Sequence, residues 1–399
     1  MKKFYSFLFL LFITLSVLSQ EDKDKKEKFY VDIWGNIQTD LIFDIKQMDP
    51  DWIGGFRPSK IPVYHSDPGW GTDGHTYFSV RPSTFRFEGV LPTNHKWGEM
   101  RFRFEFDLFG MGVHAGETTL RFRLAHVDWG PWRVGKDWST FVDLSAMPAN
   151  YEWWGPSGMV LLPNTVFRYT HIFTEKSKLE LALEGGGTVI DTDQLREVDP
   201  ELFNVKAKDV LPDFIGRYTY QGDFGYVKIA GLLRNLEYEL ISIDHERAEN
   251  RNKFGWAVNL TSNINVFNKK GVFLLQGVFG EGYAGYNNDG GVELAPGADY
   301  RIESPFQYGF SAFYDHHLTD RFLVSVGYSE TNQDNSEGQL GTAFHKSKYS
   351  VTQFTYTVLK DMFNVGINYQ YGKRYNKDGA SADDQRILFT AVYFFNFKH

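Results

Sequence analysis

The chain has 399 residues, with 36 Phe, 22 Tyr and 10 Trp, 50 acidic against 42 basic side chains, and no cysteine. The missing Cys excludes a disulfide scaffold and any Cys-ligated zinc or iron–sulfur centre, and a net charge of −8 disfavours a nucleic-acid binder, because an acidic chain repels phosphate at long range. At 42% hydrophobic and 17% aromatic, the composition is too polar for a bundle of membrane helices and too aromatic for an ordinary acidic enzyme.

Lys2 and Lys3 precede an apolar run from Phe4 to Val17, which Leu18 and Ser19 close. This is the form of a secretory signal peptide, residues 1–19, and it is too short to remain as a membrane anchor. Residues 20–28, with alternating charges from Glu21 to Lys28, read as a short solvated periplasmic leader. Residues 29–399 show no linker and no compositional break, so they read as one domain of an exported bacterial protein.

After the signal, no apolar stretch is long enough to span a membrane as a helix. Aromatic or aliphatic residues instead alternate with polar ones, the mark of strands with one greasy and one wet face. Phe102, Phe104, Phe106 and Leu108 alternate with Arg101, Arg103, Glu105 and Asp107; Leu120, Phe122 and Leu124 alternate with Thr119, Arg121 and Arg123. Such segments lie near 29–44, 77–90, 98–109, 117–128, 132–139, 163–173, 178–190, 211–221, 224–235, 251–265, 271–284, 305–317, 321–331, 347–358, 363–373 and 385–397, sixteen in all. The connections after odd strands are mostly long (45–76, 140–162, 191–210, 236–250, 285–304, 332–346, 374–384), and those after even strands are short. One rim of turns and one of long loops is the plan of an outer-membrane barrel with both termini on the periplasmic side.

The wet faces carry too many Arg, Glu, Asp, Asn and Gln for a dry core, so the greasy face points to lipid and the wet face to an aqueous lumen. Trp34, Trp132, Trp138, Tyr328 and Tyr371 sit near segment ends, where aromatic girdles belong. Tyr393, Phe395 and Phe397 alternate at the end of the chain as in the assembly signal of outer-membrane proteins, although Lys398 and His399 follow. Gly280 to Gly285 matches a dinucleotide-site spacing, but with no helix behind it the run reads as a glycine-rich strand end. Asp191, Asp193, Glu197 and Asp199 lack the glycine and bidentate Glu of a calcium loop. His126, His171, His316 and His317 lack paired carboxylates at ligand spacing, so no metal or other cofactor is called for.

The segment from Gly135 to Gly158, rich in Trp, Pro and Gly and poor in charge, suits a packed insert folded into the pore; its candidate constriction residues are Trp138, Asp143, Trp153 and Trp154. Candidate pore-lining and solute-binding residues are Arg86, Arg101, Arg103, Glu105, Asp107, Arg121, Arg123 and Arg133, a guanidinium ladder that would favour anions unless Glu105 and Asp107 neutralise it.

Over Glu117 to Tyr169, where Thr119 to His126 leads into Gly135-Lys136-Asp137-Trp138-Ser139 and Asp143, and more loosely over Phe29 to Phe397, the chain resembles the DcaP-like family of outer-membrane porins. The resemblance implies a trimeric sixteen-stranded channel for small, preferably anionic, dicarboxylate-like solutes; residues 20–28 are the only counterpart of the coiled-coil extension some members carry. The expectation is an all-β, sixteen-stranded antiparallel transmembrane barrel with a loop in the pore, a porin and not an enzyme, whose partners are outer-membrane lipid and lipopolysaccharide, anionic solutes and two further copies of itself. An outer-membrane hydrolase and a structural or adhesive barrel are the alternatives.

Overall fold

Strand-forming Phe, Tyr, Val and Ile alternate with polar residues along nearly the whole chain, and the molecule is built accordingly. The computed structural model describes residues 29–67, 69–191, 202–242, 244–297 and 301–397. The expected signal peptide, the charged leader, Asp193, Glu197 and Asp199 lie outside them.

Sixteen antiparallel staves close into a barrel: β1 Tyr30–Asp44, β2 His75–Ser79 continuing as Thr84–Leu91, β3 Met100–Phe109, β4 Thr118–Trp129, β5 Trp132–Trp138, β6 Pro163–Thr174, β7 Ser177–Glu184, β8 Leu202–Ala207 continuing as Asp213–Gly222, β9 Gly225–Ser242, β10 Ala248–Val266, β11 Gly271–Glu281, β12 Phe306–Thr319, β13 Phe322–Gln333, β14 Phe344–Leu359, β15 Phe363–Asn376 and β16 Ser381–Phe397. Each stave pairs with its sequence neighbour, and β1 pairs with β16 from Ile33↔Phe397 to Asp44↔Arg386, which closes the sheet and leaves no unpaired edge. The helical turns among the described residues are three-residue 3-10 pieces.

Local chemistry sets the turns. Gly130 (φ +56°) and Pro131 join β4 to β5, and Phe267, Asn268 and Lys269 take positive φ between β10 and β11. Gly280 ends β11 where a Cβ would lie 2.1 Å from the Trp256 carbonyl oxygen, so the glycine-rich run is a strand end, as its sequence suggests.

The structure corrects the sequence reading in four places. Residues 236–250 are mostly strand, because β9 and β10 stay paired out to Ile241↔Ala248; Leu236 and Tyr238 continue the inner face of β9 as buried core residues, and only the facing stretch Glu249 to Lys253 of β10 is polar on both faces. Likewise β15 and β16 run on to Asn376 and from Ser381. On β4, a bulge opposite Glu105 and Phe106 swaps the faces: Arg121 and Arg123 point inward, and beyond it Leu124 (1% exposed) and His126 also point inward. Finally, Trp34 and Trp138 lie against inner-face guanidiniums instead of in a girdle, with Arg86 4.4 Å above the Trp34 ring and Arg123 4.9 Å above that of Trp138. Trp132, stacked on Phe167 at 4.9 Å, is on the outer face as expected.

Candidate functional site

The segment 139–162 leaves the barrel wall after β5 and crosses the lumen. A backbone taken off the wall must find new hydrogen-bond partners, and the inner wall supplies them in sequence. Arg168 donates to the Trp138 carbonyl at 2.5 Å and to the Thr140 hydroxyl at 2.7 Å, and the Glu184 carboxylate accepts from the Thr140 amide at 2.6 Å. Arg217 donates to the Val142 carbonyl at 2.7 Å and Asn259 to that of Phe141 at 2.8 Å. Asp143 accepts from Tyr226 (2.7 Å), Lys228 (2.5 Å) and Thr261 (2.6 Å).

Farther along, the Ala149 amide donates to Asp315 at 2.9 Å, Asn150 to the Tyr349 hydroxyl at 2.9 Å and the Tyr151 amide to Gln353 at 3.0 Å. Gln38 of β1 then donates to the Tyr151 carbonyl at 2.9 Å. The loop is thus fastened to β6, β7, β8, β9, β10, β12, β14 and β1.

Two other long loops meet it inside. Glu152 accepts from the amides of Phe56 (2.8 Å), Trp154 (2.9 Å) and Gly155 (2.7 Å), which latches the loop to the segment between β1 and β2. Trp154 meets Trp52 edge to face at 4.5 Å, Arg57 lies 4.5 Å above the Trp154 ring, and the Trp154 indole donates to the Asn288 carbonyl at 2.9 Å. Trp153 stacks on Phe109 at 5.8 Å with Arg123 4.5 Å from its ring. Asp289, from the segment after β11, accepts from the Ser59 amide at 2.9 Å and from Arg57 at 3.1 Å.

These contacts create a packed core inside the barrel: Met48, Trp52, Phe56, Ile61, Ala146 and Met159 from the loops against Phe109, Leu274, Phe313, Tyr349 and Val351 of the wall. The inner face is therefore apolar beneath the loops and polar elsewhere, where the alternation alone implied a wet face throughout. Burial pushes the Glu152 carboxyl up to about 7 against the pull of its three amide donors and of Arg386. Burial would raise Asp143 too, but Lys228 and the hydroxyl donors hold it below the ordinary carboxylate range.

All four candidate constriction residues, Trp138, Asp143, Trp153 and Trp154, are thus at or in the inserted loop. The guanidinium ladder faces inward but is paired. Glu105 holds Arg86 at 2.6 Å and Arg123 at 3.1 Å, Asp107 holds Arg121 at 2.6 Å, and Arg133 bridges Asp128 (2.5 Å) and Asp137 (2.8 Å). Arg101 reaches only Glu99 at 3.3 Å with 60% of its side chain exposed, and Arg103 sits 3.8 Å from Glu88. The ladder is largely a salt-bridge network.

Sequence reasoning passed over other inner-face cations. Arg374 donates to Asn376 and to the Ile61 carbonyl, and Arg81 lies 3.8 Å above the Phe109 ring. Neither makes an ion pair among the described residues, and the same holds for Lys60 and Arg321. Arg321 lines a cavity of about 310 Å³ under the inserted loop, toward the short-turn rim, with Asp320, His317, Asn150, Tyr151, Thr355 and Asn364 among its walls. On the long-loop side, a second cavity of about 440 Å³ is walled by Leu162, Asn164, residues 185–189, Asp209 and Tyr286. Arg374 stands in an alternating segment and is marked by the lack of a carboxylate across the ladder, which requires the register; Arg321 lies in the turn before β13, beside Asp320 but with no ion pair to it among the described residues.

A sixteen-stranded closed barrel with a loop drawn across its lumen is the architecture on which the comparisons bear. A family model described as DcaP outer membrane protein matches residues 16–395. The chain belongs to the DcaP outer membrane protein family. The outer membrane channel DcaP of Acinetobacter baumannii superposes with a TM-score of 0.74 at 18% identity, covering 94% of this chain and 100% of that one. An anion-selective porin from Comamonas acidovorans gives a TM-score of 0.55 at 8% identity over 92% of this chain and 100% of its own, and Salmonella typhi OmpF 0.54 at 10% identity over 92% and 97%. No curated protein matches the sequence. This DcaP family member is an outer-membrane channel, its short turns facing the periplasm by the rule for such barrels.

Proposed function

We propose that this protein is a trimeric, passive porin for small anionic solutes of dicarboxylate type, with no covalent chemistry of its own. The observation that carries the reading is the inserted loop: it reduces the lumen to narrow spaces beside and beneath itself, and one of these is walled by Arg321, Asn364, Thr355 and Thr357. Asp320 lines the same space but makes no ion pair with Arg321 among the described residues, so hydroxyl and amide donors beside a guanidinium that no salt bridge holds suit a carboxylate.

Inner-face carboxylates are meanwhile engaged: Glu105, Asp107 and Asp137 by arginines, and Glu152, Glu184 and Asp315 by amides of the inserted loop. Solutes then meet Lys60, Arg321 and Arg374, together with the weakly paired Arg101 and Arg103 of the ladder. Local cations, not net charge, set the preference.

Reversal potentials in planar bilayers under a salt gradient test this. Anion preference is expected in the wild type, and it should fall in Arg321→Ala/Arg374→Ala. Cation preference in the wild type, or swelling of proteoliposomes that is no faster in succinate than in a neutral sugar of equal size, would overturn the reading.

A further inference from the structure

On the long-loop rim, the outer face of β13–β16 carries a row of charges in register. Glu330 stands opposite Lys348, Lys348 opposite Lys373, and Lys373 opposite Asp383. Both carboxylates are taken by flanking lysines: Glu330 accepts from Lys346 at 2.5 Å and from the Tyr328 hydroxyl at 2.7 Å, and Asp383 accepts from Lys46 at 2.8 Å. The central lysines are left facing each other. Their ammonium groups lie 5.6 Å (Lys348) and 4.9 Å (Lys373) from the centre of one ring, that of Tyr375, and neither makes an ion pair among the described residues.

Like charges directly across a ladder destabilise it, and a tyrosine ring offers attraction without a full countercharge. With four lysines against two carboxylates, the row holds two positive charges in excess. An anion between Lys348 and Lys373 would relieve both.

The position identifies the anion. Lys348 lies inward-facing neither by register nor by burial: on β14 the buried residues Ser347, Tyr349, Val351 and Gln353 face the lumen, and Lys348 alternates with them. Below it on the same outer face are Phe354 and Tyr356, 41% and 43% exposed. The stretch of β14 from Val358 up to Lys348 is ten residue steps, which at a tilt of about 40° rises roughly 25 Å along the membrane normal, and the apolar band of such barrels is about 25 Å tall. The lysine pair therefore stands at the outer headgroup level, above aromatic side chains that acyl chains can cover.

We propose that Lys348 and Lys373, with the Tyr375 ring beside them on the rim side, seat a phosphate of the outer-leaflet glycolipid. The site is independent of the solute the lumen passes.

Native mass spectrometry tests it, with the full protein in detergent titrated with bis-phosphorylated lipid A or with the same lipid after its phosphates are removed. Wild type should retain the phosphorylated lipid. Lys348→Ala/Lys373→Ala should bind it about thirtyfold more weakly, the factor expected for two membrane-surface cations, while Lys348→Arg/Lys373→Arg and Lys360→Ala at the opposite rim should bind as wild type does. The gel heat shift confirms that each variant is folded. Equal binding by the alanine pair, retention indifferent to phosphate, or an alanine pair that falls apart into monomers where wild type does not would overturn the proposal, the last assigning the lysines to a subunit contact.

Discussion

Glu152 shows how much one side chain can be asked to do in this lumen. Its carboxyl receives three amides, one from a different loop, and is raised to about 7. A folded-state value above the ordinary carboxylate range means that the seated loop binds the proton more tightly than the released one, so protonation favours seating. That contribution is complete below about 4.5 and is lost as pH rises toward 7, on the order of 3 kcal/mol in all. Limited proteolysis within 139–162 should accordingly be slower at pH 5 than at pH 8, and Glu152→Gln should remove most of that difference. The ladder makes a second residue-scale case. Asp107 has no exposed side-chain surface and takes both its close guanidinium contacts from Arg121, keeping besides only Arg123 at 3.9 Å and the Phe109 amide at 3.1 Å, so Arg121→Ala leaves a buried charge poorly compensated and should destabilise the barrel by about 3 kcal/mol, while Arg101→Ala, at an exposed pair, should shift the denaturation midpoint hardly at all.

At the scale of elements, the inserted loop is held by its ends and by its middle. Asp143 gathers three donors from β9 and β10 near one end, and Asn150 and Tyr151 engage β14 and β1 on the far side. Deleting Ala149 to Ser157 removes the far attachment and opens the space the loop occupies, so single-channel conductance should rise; an unchanged conductance in a folded variant would mean that the loop does not limit flow. Asp143→Ala should leave Lys228 without its partner and produce flickering openings in single-channel records. The bulge in β4 is an element that strict alternation misreads: it sets Arg123 and Leu124 on the same side, so the guanidinium reaches Trp153 while the leucine fills the wall beneath the loops.

For the whole molecule, closure through β1 and β16 predicts almost pure sheet by circular dichroism and a folded form that survives detergent at room temperature and shifts on a gel only after heating. Helix-dominated spectra would contradict it. The proposed trimer should give three times the chain mass by native mass measurement in mild detergent; a stable monomer would count against that assembly.

Strand number, their order and the place of the inserted segment were legible along the chain, because a lipid-facing stave must repeat its greasy side chains every second residue and must end in a turn. The sixteen segments expected from alternation each coincide with a stave. Pairing across the barrel was not legible. Whether Arg121 is free or held depends on the register that sets Asp107 beside it, and the absence of a carboxylate across the ladder from Arg374 is a property of neighbours distant in sequence. The apolar inner residues Phe313, Tyr349 and Val351 break no local rule that a sequence displays; they are apolar because three loops return into the lumen and bury them. Backbone periodicity is a local property that each segment carries in its own residues, whereas charge compensation and packing inside a closed barrel are set by which residues the closure brings face to face.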